Sequence, residues 1–409
     1  MANRSLNWTS IKTLDISKRD FIINALMFSN LFSFYYIFDL KVIPRSIVGI
    51  SGNSQILQAC FIFSIALSIL LISQISKKLE KKHIIAFTGL SSVSLLFLFL
   101  SPIFELSVII ILLIGATFGI SQLASYVYFW RITKATERGR LGGVLGLITL
   151  PLYFVLITFL SSSLDYFGNI IMCMGLCMLV IIGASLIKER EMPKNKQELA
   201  YYPEKRTIIL YSIPWILFCF INYTLSKNIA IDTLSVISTS FFAFLSISQM
   251  LGGLFGTVLG GFLADRGGRR LTLIFSVTLY GISTTFKGFL NNETTFFFAY
   301  LAEGISWGIL LTLYSFVIWG DLANNKSVSK VYSIGLVGFY VAMGIGQLPT
   351  AISEIGSLAS TLISCLLIFS SYLPIILAPE LLSSDIQEKV RLKNYMKTVK
   401  KIADKTDDQ

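Results

Sequence analysis

Residues 260–271 read Gly260-Gly261-Phe262-Leu263-Ala264-Asp265-Arg266-Gly267-Gly268-Arg269-Arg270-Leu271, a compact charged turn set between two apolar runs, 236–263 and 271–290. Each run reaches the roughly 20 residues an α-helix needs to cross about 30 Å of hydrocarbon. A loop holding one acid and three arginines between two such runs belongs at a membrane surface. The whole chain agrees: of 409 residues, 54% are hydrophobic and 14% charged, with a mean hydropathy of +0.72. That is too apolar for a water-soluble protein of this length.

Outward from this turn, apolar runs of spanning length recur near residues 21–43, 54–75, 84–102, 106–130, 141–163, 169–187, 207–226, 236–263, 271–290, 294–319, 331–352 and 357–378. The expected fold is an all-α integral membrane protein with twelve transmembrane helices in two six-helix halves, 21–187 and 207–378. The connections alternate in charge. With the N-terminus inside, segments 1–20, 76–83, 131–140, 188–206, 264–270, 320–330 and 379–409 hold 30 of the 34 Lys and Arg, leaving Lys41, Arg45, Lys227 and Lys287 elsewhere. The positive-inside bias therefore puts both termini in the cytoplasm, with 1–20 a cytoplasmic tail, 188–206 a cytoplasmic linker and 379–409 a basic cytoplasmic tail. In that last tail Ile386, Val390, Tyr395, Val399 and Ile402 allow either an amphipathic helix on the leaflet or a solvated tail. The net charge of +11 is a membrane-surface property: it points to anionic lipid and gives no support to nucleic acid as a partner.

The first 20 residues are polar and the run 21–43 is too long for a signal-peptide core, so it reads as the first span. Cys60, Cys173, Cys177, Cys219 and Cys365 all fall in apolar segments and read as small core hydrophobes rather than disulfide partners. His83 is the single histidine, so no metal site is expected. With no Ser/His/Asp set, paired-carboxylate site or nucleotide loop, neither an enzyme nor a cofactor is expected. A shift of 189 residues lays Gly115 on Gly304, Gly119 on Gly308, Trp130 on Trp319, Gly146 on Gly335 and Glu191 on Glu380. The matched spacing of spans is the better sign that the halves are repeats.

Gly261, Leu263, Asp265, Arg266, Gly268, Arg269 and Arg270 match in order the pattern G-x-L-a-D-r-x-G-r-r. In this loop the chain resembles the major facilitator superfamily, whose signature lies between helices two and three and, in many members, again between eight and nine. The loop's physics stands on its own. A carboxylate where helix eight ends can accept from the exposed N–H groups at the start of a neighbouring helix, and the arginines can reach acids at other helix ends, Asp321 being the obvious partner. The resemblance implies that Gly261, Asp265, Arg266, Gly268, Arg269 and Arg270, with Asp321, latch the cytoplasmic side in the outward-open state. The alternative is that the arginines only follow the positive-inside bias. The first-half loop, residues 73–82 (SQISKKLEKK), keeps charge but lacks the glycines and the aspartate. Glu137-Arg138-Gly139-Arg140 resembles the family's R-G-r segment, and Pro379-Glu380 the proline-acid ending of sugar-porter-like members. The G-P pair of drug/proton antiporters is absent from helix five.

The resemblance implies that helices one, four, seven and ten line a central cavity, which makes Asn30, Gln122, Tyr126 and Asn222 candidate cargo contacts; each has the alternative of bonding a neighbouring helix. Phe118, Gln122 and Tyr126 share one helix face, as do Glu303 and Trp307. Glu303 lies about ten residues into helix ten, roughly 15 Å from its start. A carboxylate there costs about 3 kcal/mol unless it is protonated, paired or wet, which makes it a candidate proton-coupling group or counter-ion. The alternative is a neutral Glu303 hydrogen-bonded across to helix eleven, where Gln347 is available. Lys287 is expected to snorkel to the headgroups. The glycines of helices eight and eleven are expected at close helix contacts, and the resemblance places those helices at the moving interface between halves. With no arginine in the middle of a span, a neutral or cationic solute is favoured over an anion.

The expected protein is a monomeric, multi-pass secondary active transporter of the cytoplasmic membrane that moves a small organic solute by alternating access, with proton coupling through Glu303. The alternatives are a transport-inactive receptor or assembly protein of the same fold, and a lipid-moving protein.

Overall fold

A computed structural model describes residues 18–44, 54–75, 79–100, 104–187, 205–230, 237–290, 292–323, 327–348 and 355–382. The expected linker, most of the N-terminal tail and the basic tail from residue 383 lie outside the described residues. The described chain forms twelve long helices: α1 (Lys18–Ile37), α2 (Ser54–Ile75), α3 (Lys81–Leu100), α4 (Phe104–Ile132), α5 (Arg138–Val155), α6 (Tyr166–Leu186), α7 (Lys205–Phe220), α8 (Thr239–Gly267), α9 (Arg269–Phe289), α10 (Glu293–Thr312), α11 (Val328–Gln347) and α12 (Ser357–Leu377). Four helices continue in a π-helical turn, at Phe38–Val42, Leu156–Ser161, Ile221–Leu225 and Leu313–Val317, and α10 then adds a last α-turn, Ile318–Leu322.

Local chemistry sets several of these ends. Asp165, Ser238 and Asn292 each accept from a backbone N–H of the helix they precede, those of Gly168, Phe241 and Thr295, which satisfies donors that have no intrahelical partner. Gly268 separates α8 from α9 with φ of 101°, a backbone region essentially reserved for glycine, so the charged turn folds back on itself.

Eleven of the twelve helices are long and apolar enough to cross a membrane. The exception is α9, and its sequence says why: Thr272, Ser276, Tyr280, Ser283, Thr284 and Lys287 are all buried, so its polar stripe faces protein. Ser283 donates to Ala299 O at 2.7 Å, and Ser306 of α10 donates to Ser276 O at 2.7 Å. The lipid-side faces carry large exposed apolar residues such as Phe97, Phe255 and Phe369. Cys60 is exposed on α2, so the expectation that all five cysteines are core residues is corrected; Cys173, Cys177 and Cys219 are buried.

Glycines set the helix spacing. On α8, Gly252, Gly256 and Gly260 face backbone atoms of Leu301, Ile305 and Ile309 of α10, within the second half. Only Gly261 on that helix turns to the other half, against Gly139 of α5. The two halves meet along α5–α8, where a Cβ on Gly143 would come within 2.6 Å of Thr257 O, and along α2–α11, where one on Gly344 would come within 2.9 Å of the Phe63 ring.

Candidate functional site

The α8–α9 turn packs against the start of α5. The Asp265 carboxylate accepts from Gly139 N at 3.1 Å and Arg140 N at 2.9 Å, and from Arg140 Nε at 3.2 Å. Glu137 offers α5 no side-chain cap, so a carboxylate from the other half takes its orphan donors, where the helix dipole favours negative charge. Arg269, fully buried, donates from Nε to Asp321 Oδ2 at 2.8 Å, from Nη1 to Asp265 Oδ1 at 3.2 Å and from Nη2 to Ala135 O at 2.5 Å. Asp321 also pairs with Arg138 across the halves, both side chains no more than 4% exposed. Trp130 Nε1 donates to Gly320 O at 2.8 Å, a further bond between the halves.

Arg266 and Arg270 sit beside this network rather than in it. The Arg266 guanidinium lies 5.4 Å from the centroid of the Phe262 ring, and Arg270 contributes its backbone N–H to Glu380 Oε2 at 3.1 Å. Glu380 also accepts from Arg269 N at 2.7 Å, so the acid of the Pro379-Glu380 pair holds the N-terminus of α9. Gly261 and Gly268 complete the turn, the first through its contact with Gly139 and the second through its backbone conformation.

A cavity lies between the halves, walled by α1, α4, α7, α10 and α11. Eleven of its sixteen lining residues are aromatic and none is charged. Phe118, Gln122 and Tyr126 of α4 all line it, as their shared helix face requires. The wall from α11, including Tyr332, Phe339 and Tyr340, adds a fifth helix to the four expected. The rings brace one another: Trp215 stacks on Tyr314 at 4.5 Å and Tyr126 on Tyr332 at 5.7 Å between centroids.

The other sequence candidates lie outside that lining. Asn30 of α1 is buried, Asn222 sits half-buried in the π turn of α7, and Trp307 packs half-buried on α10. Glu303, 3% exposed, faces α8 and α9: Lys287 Nζ donates to its Oε1 at 2.7 Å and Gln249 Nε2 to its Oε2 at 2.7 Å. Lys287 therefore does not snorkel. It is 7% exposed and lies 4.9 Å from the Tyr300 ring centroid, because a buried carboxylate within reach solvates an ammonium better than an extended path to the headgroups. Gln347, the other suggested partner of Glu303, instead accepts from Lys227 at 3.4 Å.

The sequence reading passed over Asp39. It sits in the π turn of α1, 2% exposed, with Oδ1 lacking a hydrogen-bond partner. The signal lies in the sequence: Asp39 falls inside the apolar run 21–43, four residues before its end, and is a membrane acid if the helix continues that far, as it does.

Two six-helix halves with a cavity between them and a charged seam at one end make up a fold shared with solved structures of major facilitator superfamily transporters. The chain is similar to FucP, a major facilitator superfamily transporter crystallised in an outward conformation (TM-score 0.70, 13% identity, covering 88% of this chain and 100% of that one). It is similar also to a single-residue variant of the E. coli fucose:proton symporter FucP (0.68, 13%, 88% and 100%) and to the proton:xylose symporter XylE bound to 6-bromo-6-deoxy-D-glucose (0.65, 15%, 88% and 96%). No family model matches the sequence, and no curated protein does.

Proposed function

We propose that the protein is a secondary active transporter that moves a small organic solute through the central cavity by alternating access. The observation that carries the reading is the pairing of an uncharged cavity between the halves with buried, charge-assisted hydrogen bonds that cross between the same halves at one end only a few turns away. Such bonds are worth about 1.5–3 kcal/mol each, enough to hold one state and few enough to be released. Asp265, Arg269 and Asp321 form the latch around a turn shaped by Gly261 and Gly268, with Arg266 and Arg270 beside it, and Gln122 and Tyr126 meet the cargo. The gathering of 30 of the 34 Lys and Arg in alternate connections supports a cytoplasmic latch, linker and tails in a cell membrane, for a monomer built of halves 21–187 and 207–378.

The solved relatives named as proton symporters support proton coupling, and Glu303 is its candidate carrier: a proton there releases Lys287 and loosens α9 from α10. The test is side-specific labelling in proteoliposomes. In a background without the native cysteines, Gln122→Cys should react with an impermeant maleimide from the outside, and from the cytoplasmic side once Asp265→Asn opens the latch. Labelling from one side in both forms rejects alternating access, and ligand binding without flux assigns a receptor instead.

A further inference from the structure

A second contact joins the halves between the cavity and the charged latch, and it is made of rings. Phe316 lies in the π turn Leu313–Val317 of α10 and is 5% exposed. Its neighbours in that turn, Tyr314 and Ser315, line the cavity, but its own ring crosses to the first half. The ring centroids of Phe28 on α1 and of Tyr126 and Phe129 on α4 lie 5.6, 5.8 and 5.0 Å from that of Phe316. A π turn closes one residue later than an α turn, which shifts the side-chain register where α10 supplies both a cavity wall and this crossing ring. Gly142 of α5 provides the seat: a Cβ there would come within 2.7 Å of the Phe316 Cβ, so a larger residue could not hold the ring this close.

The cluster stands between the two parts of the site. On one side Tyr126 lines the cavity and stacks on Tyr332, which lines it too. On the other side Gly142 is one helical turn from Arg138, and Phe316 is five residues from Asp321, roughly 7.5 Å at the helical rise. The Tyr332 hydroxyl reaches across the same gap. It lies 2.8 Å from where a Cβ on Gly320 would stand and has no hydrogen-bond partner among the described residues, so the closed arrangement leaves it unsatisfied. The ion pairs of the latch offer polar partners to water or to a solute, whereas the rings of Phe28, Phe129 and Phe316 offer none. An apolar constriction closes a path by staying dry.

We infer that Phe316 is a gate: with Phe28, Tyr126 and Phe129 it seals the cavity from the latch side, while the latch holds the halves together without itself being the seal. The inference rests on the transporter reading and divides the closure that reading needs into two tasks, a charged latch and an apolar plug. Parting the halves withdraws Phe316 from its seat at Gly142 and opens the path.

The test is two-sided labelling of Gln122→Cys, one turn from Tyr126 on the cavity wall, in the full-length chain without its native cysteines. The chain is held in proteoliposomes, and an impermeant maleimide is applied from each side in turn. Phe316→Ala should raise labelling from the latch side at least tenfold while labelling from the opposite side stays within twofold, because a plug is removed and the balance of states is not. Asp265→Asn should instead raise one and lower the other. If Phe316→Ala does not fold, Phe28→Ala empties the same plug from the first half and carries the same expectation. No rise from the latch side overturns the gate. A rise matched by an equal fall from the opposite side also overturns it, since Phe316 then belongs to the latch. Failure of the transporter reading is a different result: Asp265→Asn leaves labelling from both sides unchanged while Phe316→Ala still opens the latch side.

Discussion

Lys287 and Glu303 are each less than 10% exposed, 2.7 Å apart, and walled by Gln249 and Tyr300. Removing one member leaves the other charge buried with half its partners. Glu303→Gln keeps an amide oxygen for Lys287 but no counter-charge, and Lys287→Met leaves the carboxylate with Gln249 alone. Each single substitution should cost about 3 kcal/mol, the lower end of what breaking a buried pair costs, equivalent to about a hundredfold in the folding equilibrium. The double variant, with neither charge, should be no less stable than either single one. The coupling energy is then at least about 3 kcal/mol. Reversible unfolding of the full-length chain in mixed micelles, titrated with sodium dodecyl sulfate, measures all four corners. If the double variant loses the sum of the two single losses, the residues do not act as a pair and the placement of Lys287 inside the bundle is wrong.

Glu303→Gln in proteoliposomes should flatten the pH dependence of uptake; if uptake and its pH profile both match the unmodified chain, Glu303 carries no proton. Asp265→Asn should favour the cytoplasm-open state by about 2 kcal/mol, since it weakens charge-assisted bonds to Gly139, Arg140 and Arg269; maleimide labelling of Gln122→Cys from the cytoplasmic side should rise by roughly thirtyfold, and unchanged labelling rejects the latch. Gly268→Ala should cost about 1–3 kcal/mol, because the φ of 101° is strained for any Cβ and that Cβ would meet Glu380 Oε2 at 2.7 Å; a thermal melt unchanged by the substitution contradicts the turn geometry. Glu80→Gln should leave cytoplasmic labelling unchanged. Its carboxyl is held below the usual carboxylate range by the Lys82 ammonium beside it, so the stability it adds is present above that range and lost as pH falls, but the pair is 71% and 36% exposed and amounts to well under 1 kcal/mol.

Most of the fold was legible because hydrophobic run length is a one-dimensional signal: the span 54–75 coincides with α2, and 357–378 with α12 to within a residue. The contacts of Asp265 with the α5 N-terminus and of Arg269 with Asp321 were legible too, because helix ends have fixed polarity and the turn has few ways to fold. The partner of Glu303 was not. A lysine sixteen residues away near a helix end satisfies the snorkelling rule, and only the inward turn of the α9 polar stripe, a matter of helix rotation, brings it to the carboxylate. The polar periodicity of Thr272, Ser276, Tyr280 and Lys287 carried that information, but a count of apolar residues discards it. The aromatic wall from α11 was hidden for a related reason: nothing in the sequence around Tyr332, Phe339 and Tyr340 marks them as cavity-facing until the two halves are set face to face.

The fold has two similar halves, yet its charged seam draws on them unequally. In the first half the loop corresponding to the α8–α9 turn has no aspartate; Glu80 pairs with its neighbour Lys82, and Lys81 donates to Ile187 O at 3.0 Å, contacts that stay within that half. In the second half Asp265 is 6% exposed and Asp321 is paired on both sides by buried arginines, one from each half. Exposed pairs contribute about 0–1 kcal/mol, whereas the buried charge-assisted bonds contribute about 1.5–3 kcal/mol each. The energy that joins the halves at this end is therefore concentrated where the second half meets the α5 N-terminus, and loss of the aspartate from the first-half loop removes little from it. Arg138 is the residue that ties the first half into this arrangement: it stands at the first turn of α5 and supplies a cation that the second half's Asp321 shares with Arg269.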